Sequence, residues 1–110
     1  MTKYFKELSD LEKMDKEFLF KLDRAREVAQ IPFKINSAYR TPEHNAKIGG
    51  KPNSSHLKGL AVDISVTNSR QRFIVLKALI EVGFNRIGVA NTFIHVDDSK
   101  DKSPEVVWVY

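Results

Sequence analysis

The chain contains no cysteine in its 110 residues. A disulfide framework, a thiolate metal site and a thiol nucleophile are therefore excluded. No apolar run approaches the roughly 20 residues that a membrane-spanning helix needs. The N-terminal stretch MTKYFKELSDLEK carries charge throughout and lacks the apolar segment of a secretory signal. Internal repeats, low-complexity tracts and long linkers are also missing. What is present is 42% apolar and 29% charged residues, the balance of a folded globular chain. The length suits one compact domain, expected to span 1–110.

Lysine and arginine number 18 against 14 acids, a net charge of +4. A basic surface can attract nucleic acid, anionic membranes or anionic wall polymers. The cations are scattered, however, and the tightest cluster, Arg70-Gln71-Arg72, opens an expected helix. Nucleic-acid binding would call for clustered basic and aromatic residues, so no nucleic-acid partner is expected.

Over residues 10–30, Leu11, Met14, Phe18, Leu22, Ala25 and Ala29 recur three or four apart. This spacing predicts an amphipathic helix capped by Ser9 or Asp10 and stopped before Pro32. Alternation predicts a strand over 33–37 and a stronger one over 60–66, with Leu60, Val62, Ile64 and Val66 on one face and Ala61, Asp63 and Ser65 on the other. Residues 40–55 read as loop, with a short helical turn after Pro42. A second helix over 70–82, capped by Asn68 or Ser69, ends at Gly83. Strands follow at 86–89, 93–97 and 106–110, the last placing Trp108 in the core. The fold class is α+β: a mainly antiparallel sheet with helices packed on one side.

The chemistry concentrates in Ser54-Ser55-His56-Leu57-Lys58-Gly59-Leu60-Ala61-Val62-Asp63. A carboxylate in the middle of a strand is costly to bury unpaired, so Asp63 either faces solvent or holds a cation. Gly59 and Ala61 are small and leave room for a returning loop to lay His56 against Asp63. A second histidine, His95, shares its expected strand face with Phe93 and Asp97. If the two strands are neighbours, His56, Asp63 and His95 converge. Two imidazoles and a carboxylate make a three-ligand zinc set with a fourth position open to water. A lone His–Asp surface hydrogen bond is the simpler reading of the same spacing.

The segment 54–63 fits the pattern S-x-H-x-x-G-x-A-x-D and so resembles the M15 zinc peptidases, which include D-Ala-D-Ala carboxypeptidases and phage endolysins. Ser37-Ala38-Tyr39-Arg40-Thr41-Pro42 resembles the family's S-x-Y-R-[ST]-P segment, continued by Gly49-Gly50 and Pro52-Asn53-Ser54. Phe93-Ile94-His95-Val96-Asp97 is similar to the strand that carries the third ligand. The resemblance implies a hedgehog/DD-peptidase-like fold, Zn²⁺ bound by His56, Asp63 and His95, and Arg40 holding the substrate carbonyl or its oxyanion. It also implies cleavage of amide bonds in bacterial peptidoglycan. Ser54 is expected to orient the loop or contact substrate.

One position departs from the family. Members commonly place an acid or a histidine two or three residues before the third ligand, where this chain has Phe93 and Thr92. Neither accepts a proton at neutral pH. Asp97 is the best substitute general base, with orientation of His95 as its alternative role; His44 and Asp98 are weaker candidates. The missing base keeps a rival open: a zinc-containing but inactive peptidoglycan-binding module. The expected protein is a monomer made in the cytoplasm without a signal peptide, acting at the bacterial wall after release of the kind phage lysins undergo.

Overall fold

Apolar residues from two helices and from alternate strand positions meet on one side of a five-stranded sheet. A computed structural model describes residues 2–110. Its elements are α1 (Lys16–Ala29), β1 (Ile35–Ser37), α2 (Pro42–Lys47), β2 (Ala61–Ser65), α3 (Ser69–Glu81), β3 (Arg86–Val89), β4 (Phe93–Asp97) and β5 (Val106–Val109). The sheet order is β1-β2-β4-β3-β5. The β1–β2, β2–β4 and β4–β3 pairs are antiparallel, whereas β3 and β5 run parallel. The sheet is thus mixed, and its one parallel pair lies at the edge that the 98–105 connection reaches.

Phe18, Leu22 and Ala25 of α1 and Val75, Ala78 and Leu79 of α3 are buried against Val62, Ile64, Ile87, Ile94 and Val96. Burying each of the larger of these side chains, valine and above, contributes roughly 1.5–3 kcal/mol. Strand periodicity then turns Asp63, His95 and Asp97 to the opposite face. One face holds the fold together and leaves the other free for polar chemistry. No helix among the described residues is long and apolar enough to cross a membrane.

Two details differ from the expected pattern. The first helix begins at Lys16, capped by Asp15, whose carboxylate accepts from the Phe18 amide at 2.9 Å. Asp10 instead adopts a left-handed backbone ahead of the separate 3-10 turn Leu11–Lys13. The break between the two lets Met14 enter the core while the Asp15 amide bonds the Gly59 carbonyl at 3.0 Å. The helical stripe continued across this break because Met14 is buried on either path. The other correction concerns Trp108, which lies half-buried on the polar face rather than in the core. Register explains it: Trp108 pairs with Gly88, and Gly88 with His95.

Asn68 caps α3 by accepting from the Gln71 amide at 2.8 Å, as expected. The turn after Pro42 is the short helix α2, capped by the Thr41 hydroxyl. It stands beside the polar face, apart from the α1–α3 layer.

Candidate metal centre and active site

His56 reaches the polar face from the 3-10 turn Ser55–Lys58 just before β2. Ser54 starts that turn, its hydroxyl accepting from the His56 amide at 3.2 Å. Gly59 ends it with φ of 69°, a left-handed conformation that costs glycine little. A Cβ at Gly59 would overlap the Lys13 carbonyl. The space at Gly59 therefore receives the N-terminal segment rather than the His56 ring.

Asp63 and His95 are direct cross-strand partners in the β2–β4 ladder. Asp63 Oδ1 lies 2.9 Å from His95 Nδ1 and 3.3 Å from His56 Nε2. The ligand atoms of the three residues all fall within 4.8 Å of one another. The far nitrogen of each ring is already engaged. His56 Nδ1 is 2.7 Å from the Ala38 carbonyl, which can only accept, so Nδ1 carries the proton. His95 Nε2 is 2.7 Å from Asp97 Oδ2 and donates to that carboxylate in the same way. In the neutral rings, two nitrogen lone pairs are thereby aimed at one carboxylate oxygen. That arrangement calls for a cation, either protons on the rings or a metal ion. Neutral imidazoles held by a carbonyl and a carboxylate, together with one aspartate, suit a borderline-soft divalent metal.

The charges report the same convergence. Burial alone would raise the pKa of Asp63, but His56 and His95 outweigh it and hold the carboxyl well below the usual range. Burial would lower that of His95, yet Asp63 and Asp97 raise it above the ordinary value. For Asp97, burial is outweighed by His95, Arg86 and the Ser99 amide, and its pKa is lowered.

Arg40 stands beside the trio. Its Nη2 is 3.5 Å from Asp63 Oδ2, its Nε donates to Ser37 Oγ at 3.0 Å and its Nη1 to Asn45 Oδ1 at 3.2 Å. Asn45, which is buried, is itself tied to the Lys51 carbonyl at 2.8 Å. The backbone amide of Arg40 bonds the His56 carbonyl at 3.1 Å, joining the guanidinium's strand end to the ligand turn.

Asp97 is 2% exposed, and both its oxygens are occupied. Oδ2 accepts from His95, while Oδ1 accepts from Arg86 Nε at 2.7 Å and from the Ser99 amide at 3.1 Å. His44 is exposed on α2, and Asp98 pairs with Lys21 of α1 at 3.2 Å. Phe93 lies on the same face as His95, its ring 5.1 Å from that of Tyr110.

A cleft of about 640 Å³ opens over His95 and Asp97, walled by Ser54, Lys51, Lys102, Trp108 and Tyr110. The Trp108 ring is 5.5 Å from that of His95. It can lie so close to the sheet because Gly88 beneath it has no side chain; a Cβ there would collide with the indole. Lys102 Nζ rests 3.2 Å from the Ser55 hydroxyl. Among the described residues, neither Lys51 nor Lys102 has a carboxylate partner.

Of the site residues predicted from sequence, His56, Asp63, His95, Arg40 and Asp97 gather at one place, with Ser54 at its rim. Asn45, Arg86, Lys102 and Trp108 belong to the surroundings and were not read as such. Arg86 has a signal only once β3 is paired with β4, and Trp108 only once β5 is paired with β3.

A family model described as Peptidase M15 matches residues 5–97, which include His56, Asp63, His95 and Arg40. No curated protein matches the chain. With the model covering most of the sequence and reaching through the third member of the His/Asp trio, the chain belongs to the peptidase M15 family.

Proposed function

We propose that the protein is a zinc-dependent peptidase that cleaves amide bonds in the stem peptides or cross-bridges of bacterial peptidoglycan. The observation that carries this reading is the convergence of His56 Nε2, Asp63 Oδ1 and His95 Nδ1 beside Arg40. When bound, zinc supplies Lewis acidity toward a carbonyl oxygen and makes a water nucleophilic near neutral pH. His56, Asp63 and His95 hold the ion, and Ala38 and Asp97 fix the two rings in the tautomers that this requires.

Arg40 contributes permanently charged donors where negative charge develops on the carbonyl oxygen. Its anchors on Ser37 and Asn45 set the guanidinium before substrate arrives. Ser54 holds the turn that presents His56. Asp97 orients His95: its carboxylate is buried and accepts from His95, Arg86 and the Ser99 amide, a placement that holds the ring rather than meets a water. Lys51 and Lys102, which line the cleft with no carboxylate partner among the described residues, suit a peptide substrate that carries carboxylates.

On this reading the fold is of the hedgehog/DD-peptidase kind, occupies the chain as a single domain and works as a monomer. Action at the wall after release by a phage or prophage system fits the same substrate. A second reading, an inactive wall-peptide-binding module, draws on Phe93 and Thr92, neither of which is a base, and on Asp97, whose oxygens already accept from His95, Arg86 and the Ser99 amide. Zinc content and peptide hydrolysis measured together on wild type and H56A separate the two. One zinc per wild-type chain with zinc-dependent hydrolysis supports the peptidase. One zinc with saturable peptide binding and no hydrolysis supports the binding module.

A further inference from the structure

We propose that Arg86 is a positioning residue for the metal centre, acting through Asp97 to hold His95 with Nδ1 turned to the ion; this rests on the metal-site reading above. Arg86 opens β3 one step along from the Ile87–Val96 pair, which brings it opposite Asp97 of β4. Its Nε meets Asp97 Oδ1 at 2.7 Å, and the other oxygen of that carboxylate accepts from His95 Nε2 at 2.7 Å. The guanidinium also donates to the Ser103 carbonyl and lies over the Trp108 ring, 5.2 Å from its centre. Three anchors thus hold a side chain that is only 11% exposed.

The reason such a brace matters is the choice between imidazole tautomers. His95 offers Nδ1 to a metal only while Nε2 keeps its proton, and the partner of Nε2 fixes that choice. A carboxylate free to rotate about its Cβ–Cγ bond would hold Nε2 loosely. With Oδ1 bonded to Arg86 and the Ser99 amide, Oδ2 has one place to be. Arg86 also balances a second carboxylate buried close to Asp63. Through Trp108, which walls the cleft, the same side chain also joins that wall to the carboxylate behind the ligand.

Charge and position make opposite predictions here. Removing a cation near the trio would, by Coulomb attraction alone, tighten binding of a divalent ion. Losing the brace should weaken it, by the roughly 10–100-fold that follows loss of a group behind a metal ligand. The test is zinc affinity, measured by competition with a chelator on wild type, R86Q and R86K, with melting of each metal-free protein followed alongside. The expected result is zinc affinity about 10–100-fold weaker in R86Q and an intermediate loss in R86K, which keeps charge but not the planar fork. A merely structural arginine would lower the melting temperature of the metal-free protein and leave zinc affinity of the folded chain unchanged. R86Q binding zinc as wild type does, or more tightly, overturns the proposal. Should R86Q fail to fold, R86K decides: affinity several-fold below wild type supports the brace, and affinity equal to wild type overturns it. Wild type that binds no zinc would sink the metal-site reading itself, a different outcome from equal binding by wild type and variant.

Discussion

Asp63 and His95 stand directly opposite each other on β2 and β4, with Asp63 Oδ1 2.9 Å from His95 Nδ1. A ladder pair of this kind places one side chain against another through backbone hydrogen bonds alone. The sheet therefore fixes two members of the trio, and the turn before β2 has only to deliver His56.

Replacing a ligand tests the trio. H56A and H95A each remove an imidazole nitrogen from a three-residue set, leaving too few donors for a stable zinc site. Both variants should lose zinc and fall to background hydrolysis, a larger effect than the roughly 10–100-fold expected behind a ligand. Metal content after dialysis, with activity on the same samples, measures it. Full activity of either variant under metal-free conditions would contradict the account.

Asp97 separates orientation from base catalysis. D97N keeps the shape of the side chain but weakens its hold on His95 Nε2. The expected outcome is zinc affinity about 10–100-fold weaker, with turnover close to wild type once zinc is saturating. A turnover that stays low at saturating zinc would instead make Asp97 the base.

Arg40 is predicted to act on the rate. R40M removes the donors aimed at the developing oxyanion and should lower kcat about 10²–10³-fold, the loss typical for one such donor. Zinc stoichiometry should remain at one per chain, because no ligand is removed. Unchanged kcat with a raised KM would move Arg40 to ground-state binding.

Proton and metal compete for His95 Nδ1, and the direction of the pH effect follows. Burial works against the charged ring, but Asp63 and Asp97 prevail and raise its pKa above 6.5 in the metal-free protein. The stabilisation from that protonated ring is complete below pH 6.5, the ordinary value, and is lost as pH rises through the raised one. Bound metal takes the place of the proton and restores the lost attraction at higher pH. The difference in melting temperature between zinc-loaded and metal-free protein should therefore widen from about pH 6 to pH 8. Paired thermal scans at fixed free zinc measure this, and a constant difference would contradict it.

Much of this arrangement was legible in the sequence. Alternation over 60–66 and 93–97 put Asp63 and His95 on polar strand faces, and the observed β2 and β4 preserve those faces. The capping residue Asn68 and the stop at Gly83 mark α3 because their chemistry is local. The start of α1 was misread because helical spacing cannot see that Met14 reaches the core from a separate turn. Trp108 was misplaced for a related reason: period-two alternation gives two faces, and only the parallel pairing with β3 says which one β5 turns to the cleft. Arg86 lay beyond reach because its role exists only across the β3–β4 ladder. Local rules read the elements well; contacts made by register emerge only after the sheet is assembled.

The most direct test of the central claim is hydrolysis of defined peptidoglycan fragments, followed by mass spectrometry, on protein as purified, after chelation and after zinc restoration. The account predicts cleavage that disappears with chelation and returns with zinc. Loss of one terminal D-alanine would mark a carboxypeptidase and internal cuts an endopeptidase. Intact fragments in the presence of protein carrying one bound zinc per chain would contradict the peptidase reading.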